Sequence, residues 1–150
     1  YDITLSDTSQ FFLTEFSKFS NSENPEILLL CNDYNAELKT IIRIAMKNER
    51  IVCYKITPHN RIEILLNEQR ADNILLGLQT RLIEGSFLQQ CHRSNIDGLS
   101  YSIFVKRKKE MVSYFSPYES PLRLNTESQK SLGNSFKLIE AACSVYLESL

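Results

Sequence analysis

One thiol and one imidazole stand side by side at Cys91-His92, the residue types a nucleophilic hydrolase would use. An activated thiol needs hydrogen-bond reach to its base, and neighbouring residues on a chain rarely face one another. No glycine-rich or oxyanion-type segment surrounds the pair, and the other imidazole, His59, stands in a turn-forming Pro58-His59-Asn60 stretch. No catalytic residue is expected. Zinc ligands come in pairs roughly two to five residues apart. The thiols Cys31, Cys53, Cys91 and Cys143 and the two imidazoles offer only the one adjacent pair, so no metal and no cofactor is expected either. An even number of cysteines permits disulfides in an oxidising compartment, and equally permits small buried thiols.

A second cluster suits recognition rather than reaction. Lys106-Arg107-Lys108-Lys109 is a basic run able to steer an acidic partner, or simply to keep a hairpin tip solvated. It lacks neighbouring aromatics that would stack on bases. With 17 basic against 18 acidic side chains the net charge is −1, so neither nucleic acid nor membrane is an expected partner. Tyr114-Phe115-Ser116-Pro117-Tyr118-Glu119-Ser120-Pro121 follows, with two Ser-Pro steps that stiffen the backbone around three aromatics. Tyrosine brings large contact area with a polar end, which suits an interface; the plainer role is packing of Tyr114 or Phe115 on the last helix. The expected partner-binding set is Lys106, Arg107, Lys108, Lys109, Tyr114 and Tyr118, with the polar face of a helix over 68–83 as the next surface.

The elements that must carry these residues follow from periodicity. A helix is expected over 7–20, with Asp7 and Gln10 in a capping box and Phe12, Leu13, Phe16 and Phe19 on one stripe. Residues 26–31 read as a buried strand. Residues 36–46 fit helix and strand almost equally; the β-branched Ile41, Ile42 and Ile44 favour strand, with 51–57 as antiparallel partner and 47–50 as the turn. Ile62, Ile64 and Leu66 alternate again. Ala71, Ile74, Leu75, Leu78 and Leu82 share a helical face over 68–83, and Gly85 suits a left-handed cap beyond it. Asp97-Gly98 turns the chain into a strand over 99–105, residues 106–110 form a charged tip, and 111–115 return. A closing helix begins at a Thr126/Gln129 capping box and carries Leu132, Phe136, Ile139, Cys143, Tyr146 and Leu150 on one stripe. That stripe reads as core, although repeats of four and three also allow a homodimer.

At 150 residues, 43% hydrophobic and 23% charged, with no repeat or long linker, residues 1–150 read as one α+β domain. The expected architecture is an antiparallel sheet with helices packed on one face, in the order helix–strands–helix–hairpin–helix. Its longest aliphatic run, Ile27-Leu28-Leu29-Leu30, is far short of a bilayer span, and no signal-type segment is read at its start.

Ile96-Asp97-Gly98-Leu99-Ser100-Tyr101-Ser102-Ile103, a charged turn, a returning strand, Ser116-Pro117 and a final helix resemble small exported bacterial proteins. Some of these look like immunity proteins that neutralise toxins. That resemblance spans roughly the last sixty residues of this chain. It implies a non-enzymatic inhibitor whose partner is a cognate toxin or effector, in the periplasm or otherwise exported. The tryptophan that often follows the hairpin in that pattern is absent here, since the chain has no Trp. The element order also resembles the dimeric type III secretion chaperones, which would imply a cytoplasmic effector-binding protein; those are usually strongly acidic, which this chain is not.

Overall fold

The computed structural model describes residues 7–32, 38–79, 85–88, 100–107, 110–116 and 135–150. In chain order these form α1 (Asp7–Asn21), β1 (Glu26–Asn32), β2 (Leu38–Lys47), β3 (Arg50–Thr57), β4 (Asn60–Ile64), α2 (Glu68–Gln79), β5 (Gly85–Leu88), β6 (Ser100–Arg107), β7 (Glu110–Ser116) and α3 (Ser135–Glu148). The α+β class and the order of elements are those expected, and residues 38–46 resolve as strand.

β1 organises the sheet. Its Ile27, Leu28, Leu29, Leu30 and Cys31 are all buried, so the strand is apolar on both faces and must lie in the interior of the sheet. It pairs antiparallel with β2 on one side and β6 on the other, giving the order β4-β3-β2-β1-β6-β7-β5. All pairings are antiparallel except that of β5, which lies parallel to β7 at one edge. Asn48 and Glu49 close the β2–β3 hairpin with φ of 53° and 62°, the two left-handed residues that a tight turn between right-twisted strands needs.

Strand alternation sorts the core into two clusters. Ile27, Leu29, Cys31, Ile42, Ile44, Cys53, Tyr101, Ile103, Val105, Val112 and Tyr114 point to one face, beneath Ile74 and Leu78 of α2 and Leu138, Ile139, Ala142, Cys143, Val145 and Tyr146 of α3. Leu28, Leu30, Ile41 and Ile56 point to the other, beneath Phe19 with Phe12 and Phe16 of α1. Helices therefore cover both faces, where one face was expected. The physical reason is the double-sided apolarity of β1, which a single helical layer would leave half exposed.

Three smaller differences bear on the site. Gly85 begins a strand instead of capping a helix. β6 runs on through Arg107 and β7 begins at Glu110, so the tip is shorter than residues 106–110. In α3, Leu138, Ala142 and Val145 join Ile139, Cys143 and Tyr146 in the core, Phe136 is half-buried, and Leu150 is exposed. The capping box at Thr126 and Gln129 lies outside the described residues.

Candidate functional site

The shorter tip decides where the expected partner-binding residues fall. Lys106 sits inside the ladder, between Glu26 of β1 and Met111 of β7, and is 6% exposed. Its ammonium donates to the carbonyls of Phe19 and Ser22, the latter at 2.5 Å, and lies 4.9 Å from the centroid of the Phe19 ring. These are acceptors at the C-terminal end of α1, where the helix has no further N–H to offer and a cation is favoured. Burial pushes the pKa of Lys106 down, the Glu26 carboxylate pulls it up, and Arg43 pushes it down again. Tyr114 is 1% exposed in the core beneath α3. Neither Lys106 nor Tyr114 is thus at a surface that a partner would meet, which corrects the expectation for both. Arg107 closes the tip against Glu110 at 3.4 Å. Lys108, Lys109 and Tyr118 lie outside the described residues, as do Cys91 and His92.

The remaining thiols gather where chemistry is suppressed. Cys31, Cys53 and Cys143 are buried thiols in the cluster beneath α2 and α3. The Cys31 thiol and the Tyr146 hydroxyl are 3.1 Å apart, and the Tyr146 ring meets that of Tyr101 edge-on at 5.6 Å and 68°. Burial pushes Cys53 up to about 12, and burial with the Glu140 charge pushes Cys143 up to about 12. Burial likewise drives Tyr101 and Tyr146 above the ordinary phenol range. A thiol held protonated is a poor nucleophile and a poor metal ligand. The arrangement reads as core polar atoms satisfying one another. Among the described residues no three of His, Cys, Asp and Glu come together as a ligand set, and His59 stands exposed in the β3–β4 turn.

An open groove of about 630 Å³ lies along the outer side of α2 and α3. Its floor is Ile74 and Leu138, both buried, and its walls carry Arg70, Asn73, Leu76, Lys137 and Glu140. Asn67 starts one wall as a helix cap, its Oδ1 accepting the Arg70 N–H at 2.7 Å. Gly77 sets the depth. A Cβ there would stand 2.5 Å from Leu138 Cδ2 and 3.1 Å from its Cγ, so a larger residue would have to push the Leu138 side chain aside. Arg70 of the lining is held by Glu148 of α3 through two hydrogen bonds of 2.5 and 2.8 Å. Leu76 is 66% exposed at the rim, an apolar anchor among charges of both signs. This is a surface suited to seating an amphipathic polypeptide segment.

Only the α2 wall of this groove is legible in the sequence, as the polar face of the helix over 68–83. The other wall comes from residues 137–144, far along the chain. One signal was available: a glycine inside a periodic helix costs about 1 kcal/mol relative to alanine and so points to a close approach. No described helix is long and apolar enough to cross a membrane. Comparison with protein-family models, with curated proteins and with solved structures finds no match to this chain.

Proposed function

We propose that the protein is a non-enzymatic protein-binding module that seats a segment of its partner in the α2/α3 groove. Within that class we read it as an immunity-type inhibitor of a bacterial toxin or effector. The groove carries the reading: it joins an apolar floor and an exposed Leu76 to charges of both signs, at a size that fits side chains of another polypeptide. The finer assignment rests on the resemblance of the DG turn, hairpin, Ser-Pro and final helix to exported immunity-like proteins.

The product of the neighbouring gene tests it. Expressed alone, that product should arrest growth, and co-expression of this chain should restore it. Leu76→Glu leaves the core untouched and should weaken binding at least about tenfold if Leu76 is an anchor. A harmless neighbour that binds nothing, or full protection by the Leu76→Glu variant, sinks the proposal.

A second reading, an effector-binding protein like the type III secretion chaperones, is favoured by the order helix, strands, helix, hairpin, helix. The buried thiols Cys31, Cys53 and Cys143 also suit a reducing compartment. On that reading the neighbour's product is not toxic but aggregates unless this chain is co-expressed.

A further inference from the structure

β4 ends the sheet, and among the described residues no strand lies beyond it. Its five residues, Asn60-Arg61-Ile62-Glu63-Ile64, alternate in two respects that together specify a partner. The first is hydrogen bonding. Thr57 pairs with Asn60 across the two-residue Pro58-His59 turn, so Asn60, Ile62 and Ile64 bond inward to β3, and Arg61 and Glu63 turn their N–H and C=O groups outward. The Arg61 N–H shows this directly: it donates to the side-chain Oδ1 of Asn60 at 2.9 Å instead of to a strand. The second is side-chain direction. Arg61 and Glu63 lie opposite Ile56 and Tyr54 on the α1 face, while Ile62 lies opposite Lys55 on the other face and is 51% exposed.

We propose that β4 pairs antiparallel with β4 of a second copy of this chain, about a two-fold axis through Ile62. In that register Arg61 of each copy stands opposite Glu63 of the other, in pairs that exchange both backbone hydrogen bonds. Ile62 meets Ile62 in the closer, non-hydrogen-bonded position, where apolar cross-strand contact is strongest. Charge selects the register. Moving the axis to residue 61 sets Arg61 against Arg61, and moving it to residue 63 sets Glu63 against Glu63. The Glu63 carboxylate has no partner within the chain among the described residues. Arg61 contacts Glu15 at 3.6 Å and lies 4.5 Å over the Tyr54 ring, and its five donors can serve a second carboxylate. An edge strand carrying charges normally repels neighbours; here the charges disfavour the out-of-register pairings with a second copy and favour the one centred on Ile62. A contact one short strand long is a small interface, so the dimer is expected to be weak and concentration-dependent. The inference stands apart from the groove reading, because β4 contributes nothing to the groove.

Sedimentation of the full chain across a concentration series, with folding of each variant checked by its thermal melt, tests it. The wild type should move from monomer to dimer as concentration rises. Glu63→Arg and Arg61→Glu should each weaken self-association at least about tenfold, since both cross-strand pairs become like-charged. Mixed in equal amounts, these two variants should form a heterodimer, and the double variant carrying both changes should dimerise like the wild type. If Arg61→Glu fails to fold through loss of the Glu15 contact, amide exchange decides: the N–H groups of Arg61 and Glu63 should gain protection with concentration while that of Ile62 is protected throughout. A chain that stays monomeric at every attainable concentration overturns the proposal. So does a dimer indifferent to Glu63→Arg, or a monomer whose Arg61 and Glu63 amides are protected only by an added extended peptide.

Discussion

Between the sheet and α2 and α3 lie buried aliphatic side chains, three thiols and three tyrosines, with the Tyr146 hydroxyl 3.1 Å from the Cys31 thiol. Beneath α1 the same strands bury aromatic rings beside charged groups: Glu26 and Arg43 are joined by hydrogen bonds of 2.8 and 3.0 Å, and Lys106 reaches the end of the helix. The difference follows from coverage. Two helices side by side exclude water from most of a sheet face, whereas a single helix about 10 Å wide covers one stripe and leaves a margin. Strand residues at that margin are too buried to remain hydrated and too peripheral to be fully enclosed by apolar neighbours. Charges survive there only as pairs or against helix carbonyls, and the aromatic rings of Phe12, Phe16, Phe19 and Phe104, packed 5.4 to 6.4 Å apart, give one helix enough area to hold on.

The largest test of this contrast uses two adjacent residues of β1, both fully buried on opposite faces. Leu29→Ala, under α3, should cost about 3–5 kcal/mol in denaturant melts, because two packed helices cannot collapse into the cavity. Leu28→Ala, under α1, should cost about 2–3 kcal/mol, because a single helix with partly exposed rings can settle toward the sheet. Equal costs would mean that the two coverings are equally rigid. Next comes the margin of the α1 face. Glu26→Ala should cost about 3 kcal/mol by leaving the Arg43 guanidinium without its partner, and adding Arg43→Met should recover most of that loss. A double variant no more stable than Glu26→Ala would show that the pair is needed as a pair.

The smallest effect at neutral pH is one of titration, and the two faces oppose each other in it. With Cys53 and Cys143 held up to about 12 against an ordinary 9.0, the fold keeps both thiols neutral. Their contribution is complete below pH 9.0 and is lost as pH rises toward 12, by up to about a tenfold change in the folding equilibrium per thiol per pH unit. Lys106 acts in reverse. Its lowered pKa means that the fold disfavours its charge, a penalty that fades as pH rises to the ordinary 10.5. Alkaline melts should therefore show a net fall in stability, shallower in Cys53→Val and steeper in Lys106→Met. A Cys53→Val slope identical to wild type would remove that thiol from the account.

Much of this fold is written in local pattern. The phenylalanines of α1, the alternating isoleucines of β2, the apolar face of α2 and the hairpin of β6 and β7 each follow from period and turn chemistry, and they suffice for the class and the order of elements. β5 was not legible, because four residues beginning with Gly85 carry no period of their own and gain their partner from residues 112–115. Local signals likewise placed Lys106 in a tip, since a run of four basic residues says nothing of how many of them the ladder extends to include.

Local pattern alone sets which residues are apolar at which period, and hence most of the helices and strands and the burial of residues 26–31. Which face each helix takes, which lysine is withdrawn from solvent, where two helices leave a groove and which strand is left at the edge were decided only by tertiary structure. Each of those outcomes depends on residues brought together from distant parts of the chain, as Lys106 is to Phe19 and Gly77 is to Leu138. A one-residue slip in pairing register would turn every side chain of a strand to the opposite face, and that register is set by the neighbouring strand.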